Sequence, residues 1–212
     1  MNHYDIYILF NKISTLKIKN GKQLWQLVTN QSITKIKYSS NGKYIVYYEH
    51  YLEINILDAM TGEKIRAIKL HQTEKSIQNI SVSDNLLYVH FKNLLLNHTE
   101  IGIWKIDTGE YVKSFNWSAK LIYFAHHQND EILIFALEDN YGTPITAFDI
   151  NAEVEINRII ICSHISDIKF IANRTVIVQT NEGLFEWEIQ NKQVKRIINS
   201  THIEGFCELN HL

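Results

Sequence analysis

The chain has 212 residues, 45% hydrophobic and 11% aromatic, enough to pack a core as one domain or two. No apolar run approaches the roughly 18 residues needed to cross a bilayer, and Met1-Asn2-His3-Tyr4-Asp5 lacks the basic start of a secretory signal, so a soluble, cytoplasmic protein without a membrane partner is expected. The net charge of -2 conceals an asymmetry: residues 1–76 carry 11 Lys/Arg against 6 Asp/Glu, and residues 77–212 carry 10 against 17, yet scattered strand lysines mainly solubilise and predict no nucleic-acid partner.

From the N-terminus, Tyr4 to Phe10, Ile13 to Lys19 and Gln23 to Thr29 read as three strands joined by turns. Lys43 to Tyr48, Glu53 to Leu57 and Glu131 to Phe135 follow as β-branched and aromatic runs bounded by Gly, Asn or Asp. Helical spacing is sustained nowhere. A signature with apolar residues at positions 1, 4 and 6 recurs as Ile33/Ile36/Tyr38, Ile77/Ile80/Val82, Ala119/Ile122/Phe124 and Ile165/Ile168/Phe170, at intervals of 44, 42 and 46 residues. Downstream in each unit, a large apolar residue stands five positions before the Gly or polar residue of a tight turn: Leu16, Leu57, Trp104, Phe148 and Trp187. Asn20-Gly21, Thr61-Gly62 and Thr108-Gly109 supply the positive φ that such a turn needs. Each unit therefore holds four strands, a to d, with the turn joining c to d.

Four strands in about 42 residues, repeated head to tail, is the requirement of a β-propeller blade, whose sheet buries both faces against its neighbours. The expectation is an all-β, five-bladed propeller formed by the whole of 1–212, with blades at 203–209 plus 4–29, 33–69, 77–116, 119–161 and 165–198. Residues 4–29 lack an a strand, and Ile203 and Phe206 carry the first two positions of the a signature, so the C-terminal strand is predicted to pair with the N-terminal three. On that reading the chain is a complete ring.

Ile33 to Ile68, with its Ser40-Asn41-Gly42-Lys43 turn, Leu57-Asp58 and Thr61-Gly62-Glu63-Lys64, resembles the WD-repeat (WD40-like) family, and Ile101 to Glu110 does so again. In the last blade His164, Thr180, Asn181 and Trp187 stand where that family builds a buried hydrogen-bond network. The resemblance implies that these four are structural. The Gly-His and Trp-Asp dipeptides are absent, and Asn181 or Glu182 replaces the family's Asp. Gly21-Lys22-Gln23-Leu24-Trp25 also looks like the turn of quinoprotein-like propellers, and five blades is the number used by some lectins and glycosidases.

The resemblance implies a non-catalytic protein-interaction scaffold or subunit of a complex, with a protein partner of unknown identity. The alternatives are a small-ligand or lectin-like propeller and a glycosidase-like enzyme. A glycosidase needs two facing carboxylates; the innermost strands offer Asp167, Glu204 and Glu208 among Lys35, Lys37, Asn79, Ser81 and Lys169, which reads as a solvated channel. His126-His127 lacks a third ligand by spacing, so no metal is expected, nor any cofactor. His71 and His202 fall in d to a loops, as His164 does. Cys162 and Cys207 sit in apolar runs and are expected to be buried thiols. The segment Lys92 to His98 lengthens one b to c connection, and its Leu94, Leu95 and Leu96 cannot all face one side of a strand. They are the candidate partner contact, the alternative being that strands b and c are simply longer there.

Overall fold

The computed structural model describes residues 4–9, 12–17, 22–29, 32–49, 53–70, 75–93, 98–127, 132–138, 143–172 and 174–199, with the backbone alone up to residue 24 and at 122 and 199. All regular elements among them are strands. In chain order they are β1 (Tyr4–Leu9), β2 (Lys12–Lys17) and β3 (Lys22–Val28); β4 (Lys35–Tyr38), β5 (Tyr44–Tyr48), β6 (Glu53–Asp58) and β7 (Lys64–Lys69); β8 (Lys75–Val82), β9 (Leu86–Asn93), β10 (Thr99–Lys105) and β11 (Tyr111–Trp117); β12 (Leu121–His126), β13 (Ile132–Leu137), β14 (Thr143–Asp149) and β15 (Val154–Ile161); and β16 (Ile165–Ala172), β17 (Thr175–Thr180), β18 (Gly183–Glu188) and β19 (Gln193–Asn199). Consecutive strands pair antiparallel into one three-stranded sheet and four four-stranded sheets, the blade-like units that the repeat predicts. The chain divides into two compact units, Met1–Ser118 and Ala119–Leu212.

Within the first unit, side-chain alternation assigns each face of the second sheet to a different neighbour. Val46, Tyr48, Ile54 and Ile56 pack with Leu87, Val89, Phe91 and Trp104 of the third sheet. The opposite parity, Ile45, Tyr47 and Leu57, packs with Trp25 and Leu27 of the first. A strand buried on both faces must be apolar at every position, which is why β5 reads Tyr-Ile-Val-Tyr-Tyr rather than alternating. In the second unit Ile134, Ala147, Ile168, Val178 and Trp187 form the corresponding core between its two sheets. Outer d strands are less covered, and Ile65, Tyr111, Val154 and Val194 stay exposed.

The c to d turns show why the five-residue count works. Gly62, Gly109, Glu153 and Lys192, each five positions after Leu57, Trp104, Phe148 or Trp187, have φ of 74°, 71°, 58° and 55°. A register shift falls immediately before Leu57, Trp104 and Phe148, so the bulge and the left-handed residue together re-aim strand d. Asp58 Oδ1 accepts from the amides of Met60 and Thr61 at 2.9 Å, and Asp149 Oδ1 from those of Asn151 and Ala152 at 2.8 Å. These bonds hold both turns, the one that has a glycine at its left-handed position, Gly62, and the one that has Glu153 there.

Adjacent sheets within each unit are tied through the same turns. Trp25 Nε1 donates to Ala59 O at 3.0 Å, an Arg66 guanidinium nitrogen to Asp107 O at 2.9 Å, and Asn157 Nδ2 to Ile189 O at 2.5 Å. The donor is in each case four residues past the turn position of its own sheet, and the acceptor lies in the next sheet's c to d turn. Glycine is needed there for space as well as φ. A Cβ on Gly62 would sit 2.4 Å from Trp25 Cδ2, and one on Gly109 2.7 Å from Arg66 Cδ.

Candidate functional site

The candidate contact Leu94, Leu95 and Leu96 lies outside the described residues. Its flanks are described: β9 has 8 residues against 5 in β5, and β10 has 7 against 6 in β6 and 7 in β14. The Asn93 amide at the end of β9 donates to His98 O, just before β10, at 3.1 Å. Lys75 pairs with Glu100 beside it, both side chains largely buried.

Of the four residues expected to form the blade network, three meet at the β17–β18 turn. The His164 amide donates to Asn181 Oδ1 at 3.1 Å, and the Asn181 amide returns a bond to His164 O at 3.1 Å. Thr180 Oγ1 donates to Gly183 O and accepts from the Glu182 amide, both at 3.1 Å. His164 thus contributes its backbone, and the residue itself is exposed. Trp187 is fully buried in the core of the second unit, and its Nε1 has no hydrogen-bond partner among the described residues. A short amide such as Asn181 in place of the family's Asp is satisfied by the local backbone, so it ties the loop rather than reaching the indole.

His126 ends β12 and is half-buried, whereas His127 is 3% exposed, with its ring 5.2 Å edge-on from Phe170. Burial, then the neighbouring His127, pushes the His126 imidazole down to about 4. No group of three or more metal-ligating side chains occurs among the described residues. Cys162 corrects the expectation of a buried thiol: β15 ends at Ile161, the chain leaves the sheet, and the residue is exposed. Cys207, His71, His202, Glu204 and Glu208, with the whole proposed closing strand at 203–209, lie outside the described residues. The remaining carboxylate of that expected set, Asp167, accepts from the Ile168 amide at 2.9 Å and approaches Lys169 Nζ at 3.4 Å.

The first strands of the second and third sheets, β4 and β8, lie against one another. Ile36 and Tyr38 of β4 pack toward the first sheet, so Lys35 and Lys37 leave by the other face. Lys35 Nζ donates to Asn79 Oδ1 on β8 at 3.0 Å. His90, opposite Asn79 in the β8–β9 register, is 7% exposed. Burial and then the nearby Lys35 charge push its imidazole down to about 4, while burial followed by the Lys37 charge lowers the Lys35 ammonium. Sequence reading counted these lysines as channel polarity, because nothing in their spacing reveals that the facing strand offers them only a neutral acceptor.

Residues 5–93 match the family model for the WD40 domain of anaphase-promoting complex subunit 4. The matched segment runs from β1 to the end of β9 and includes the Ile33 to Ile68 repeat, and it supports a WD40-repeat propeller family. No curated protein matches the chain.

Proposed function

We propose that the chain is a non-catalytic protein-interaction scaffold that works as a subunit of a larger assembly. The observation that carries this reading is the match of residues 5–93 to a WD40 domain of a complex subunit. WD40 domains are generally non-catalytic and mediate protein interactions. The stacked sheets support the same reading, because rigid strands tied through their turns present loops at fixed positions. The finer architecture we propose is a five-bladed ring, in which residues 203–209 supply the strand that the three-stranded β1–β3 sheet lacks. The exposed thiol of Cys162 suits a reducing compartment, and we assign the protein to the cytoplasm.

The test is affinity purification of the tagged full chain from its native source, followed by size-exclusion chromatography and mass measurement of the intact species. A stoichiometric complex with at least one other protein is expected. A chain that elutes alone at its own mass under low and moderate salt would overturn the scaffold reading.

A further inference from the structure

We propose that Lys35 and Lys37 form a binding site for an oxyanion, a carboxylate or phosphate group, against strand β8. The site is independent of whether the ligand belongs to a protein. Both ammonium groups leave the same face of β4, two residues apart, on the side turned toward Asn79 and His90. Between them they carry six N–H donors, and the one hydrogen bond described uses one of these on the neutral Asn79 Oδ1. That oxygen is already shared with the Ile80 amide at 3.0 Å, which leaves it little capacity to offset a cation. Neither lysine forms an ion pair with a described residue, whereas Lys64, Lys75, Lys105, Lys120 and Lys169 all do.

The equivalent positions of the last repeat make the contrast. Counting from Ile33 and from Ile165, Lys35 and Lys37 correspond to Asp167 and Lys169, which neutralise each other at 3.4 Å. The same two positions therefore carry a double positive charge in one sheet and none in the other. Lys35 is half-buried, so keeping it charged beside a second cation and a buried, neutral His90 is unfavourable unless an anion completes the cluster. Burial first, and the neighbouring lysine charge second, lower both the Lys35 and the His90 pKa values. An oxyanion accepts from both ammonium groups at once, and its charge would restore the Lys35 ammonium toward its ordinary range.

The experiment titrates the full chain at low ionic strength with two probes in separate arms, inorganic phosphate and an acetylated tetraglutamate peptide. The Lys35 ammonium and His90 ring resonances are followed by NMR. Saturable shifts at both residues are expected with at least one probe, and the arm that binds more tightly identifies the source of the oxyanion. Replacing both lysines with glutamine should weaken binding about tenfold or more, and the exposed Lys37→Gln alone about threefold. Lys169→Gln should leave it unchanged. Absence of saturation with both probes would overturn the proposal, as would equal affinity in wild type and Lys37→Gln. The single variant decides the matter if the double variant does not fold.

Discussion

The orphaned indole of Trp187 permits a comparison in which two truncations of one residue both delete its N–H donor and differ in how much apolar burial they forfeit. Trp187 is fully buried among Ile134, Ala147, Ile168 and Val178, so removing the ring in Trp187→Ala exposes a cavity lined by aliphatic groups. An indole buries about 200 Å², worth about 5 kcal/mol of apolar transfer at about 25 cal/mol per Å². Against this, a buried N–H without an acceptor costs about 1–3 kcal/mol. The net loss expected for Trp187→Ala is about 3 kcal/mol, the low end of large aromatic truncations. Trp187→Phe forfeits only about 1 kcal/mol of burial and deletes the unsatisfied donor, so its expected effect lies within about 1 kcal/mol of zero. The assay is urea unfolding followed by far-ultraviolet circular dichroism, which does not depend on the tryptophan signal, with midpoints converted through the common slope. A Trp187→Phe loss as large as that of Trp187→Ala would show that the indole N–H is hydrogen-bonded, contrary to the geometry. Neutrality of both would place the residue outside the core.

Three other outcomes follow from the turns and the buried histidines. Gly62→Ala and Gly109→Ala should each destabilise by about 1–3 kcal/mol, since the new Cβ meets Trp25 or Arg66 and the backbone is left-handed; a melting temperature unchanged in either variant would contradict the close approach. Glu153→Gly and Lys192→Gly relieve a left-handed non-glycine residue and should stabilise by about 0.5–1 kcal/mol, read as a higher urea midpoint. His90 titrates at about 4 in the folded chain against about 6.5 unfolded. Between those values the unfolded state binds more protons, so stability rises with pH and is lost on acidification from pH 6.5 to 4, by up to about 3 kcal/mol. His90→Leu should flatten that limb of the stability profile, and an unaltered slope would show that His90 is not the group responsible.

Much of the strand plan is legible in the sequence because it depends on spacing alone. The apolar 1, 4, 6 signature falls at the start of β4, β8, β12 and β16, and Leu57, Trp104, Phe148 and Trp187 all lie in the third strand of their sheet. The five-residue count even locates the left-handed position in the last two sheets, where Glu153 and Lys192 replace glycine and composition offers no hint. What sequence reading misses are relations between sheets. Trp25, Arg66 and Asn157 share no chemistry beyond an N–H donor, and their acceptors lie 34, 41 and 32 residues away. Only alignment of the repeats by their turns would bring the three into one column. His164 and Asn181 illustrate the converse limit: residue types that suit a side-chain network are present, but the backbone satisfies them first. Cys162 fails as a core residue for a similarly local reason, since an apolar run does not mark the residue at which the strand ends.

The ties between sheets also bear on how a repeat without Gly-His and Trp-Asp dipeptides keeps its geometry. Each requires only a donor at one position and a main-chain carbonyl in the next turn, and a carbonyl is supplied whatever residue occupies the acceptor site. The acceptors here are Ala59, Asp107 and Ile189, three unrelated side chains. A side-chain network such as His, Thr, Asp and Trp demands several compatible residues at once, whereas Asn181 here exchanges its bonds with the His164 backbone. Ties to the main chain tolerate replacement one residue at a time, and the space beside them is constrained only where glycine faces a bulky donor, as at Gly62 and Gly109. Along these ties the stringent positions are therefore the turn glycines that face a bulky donor.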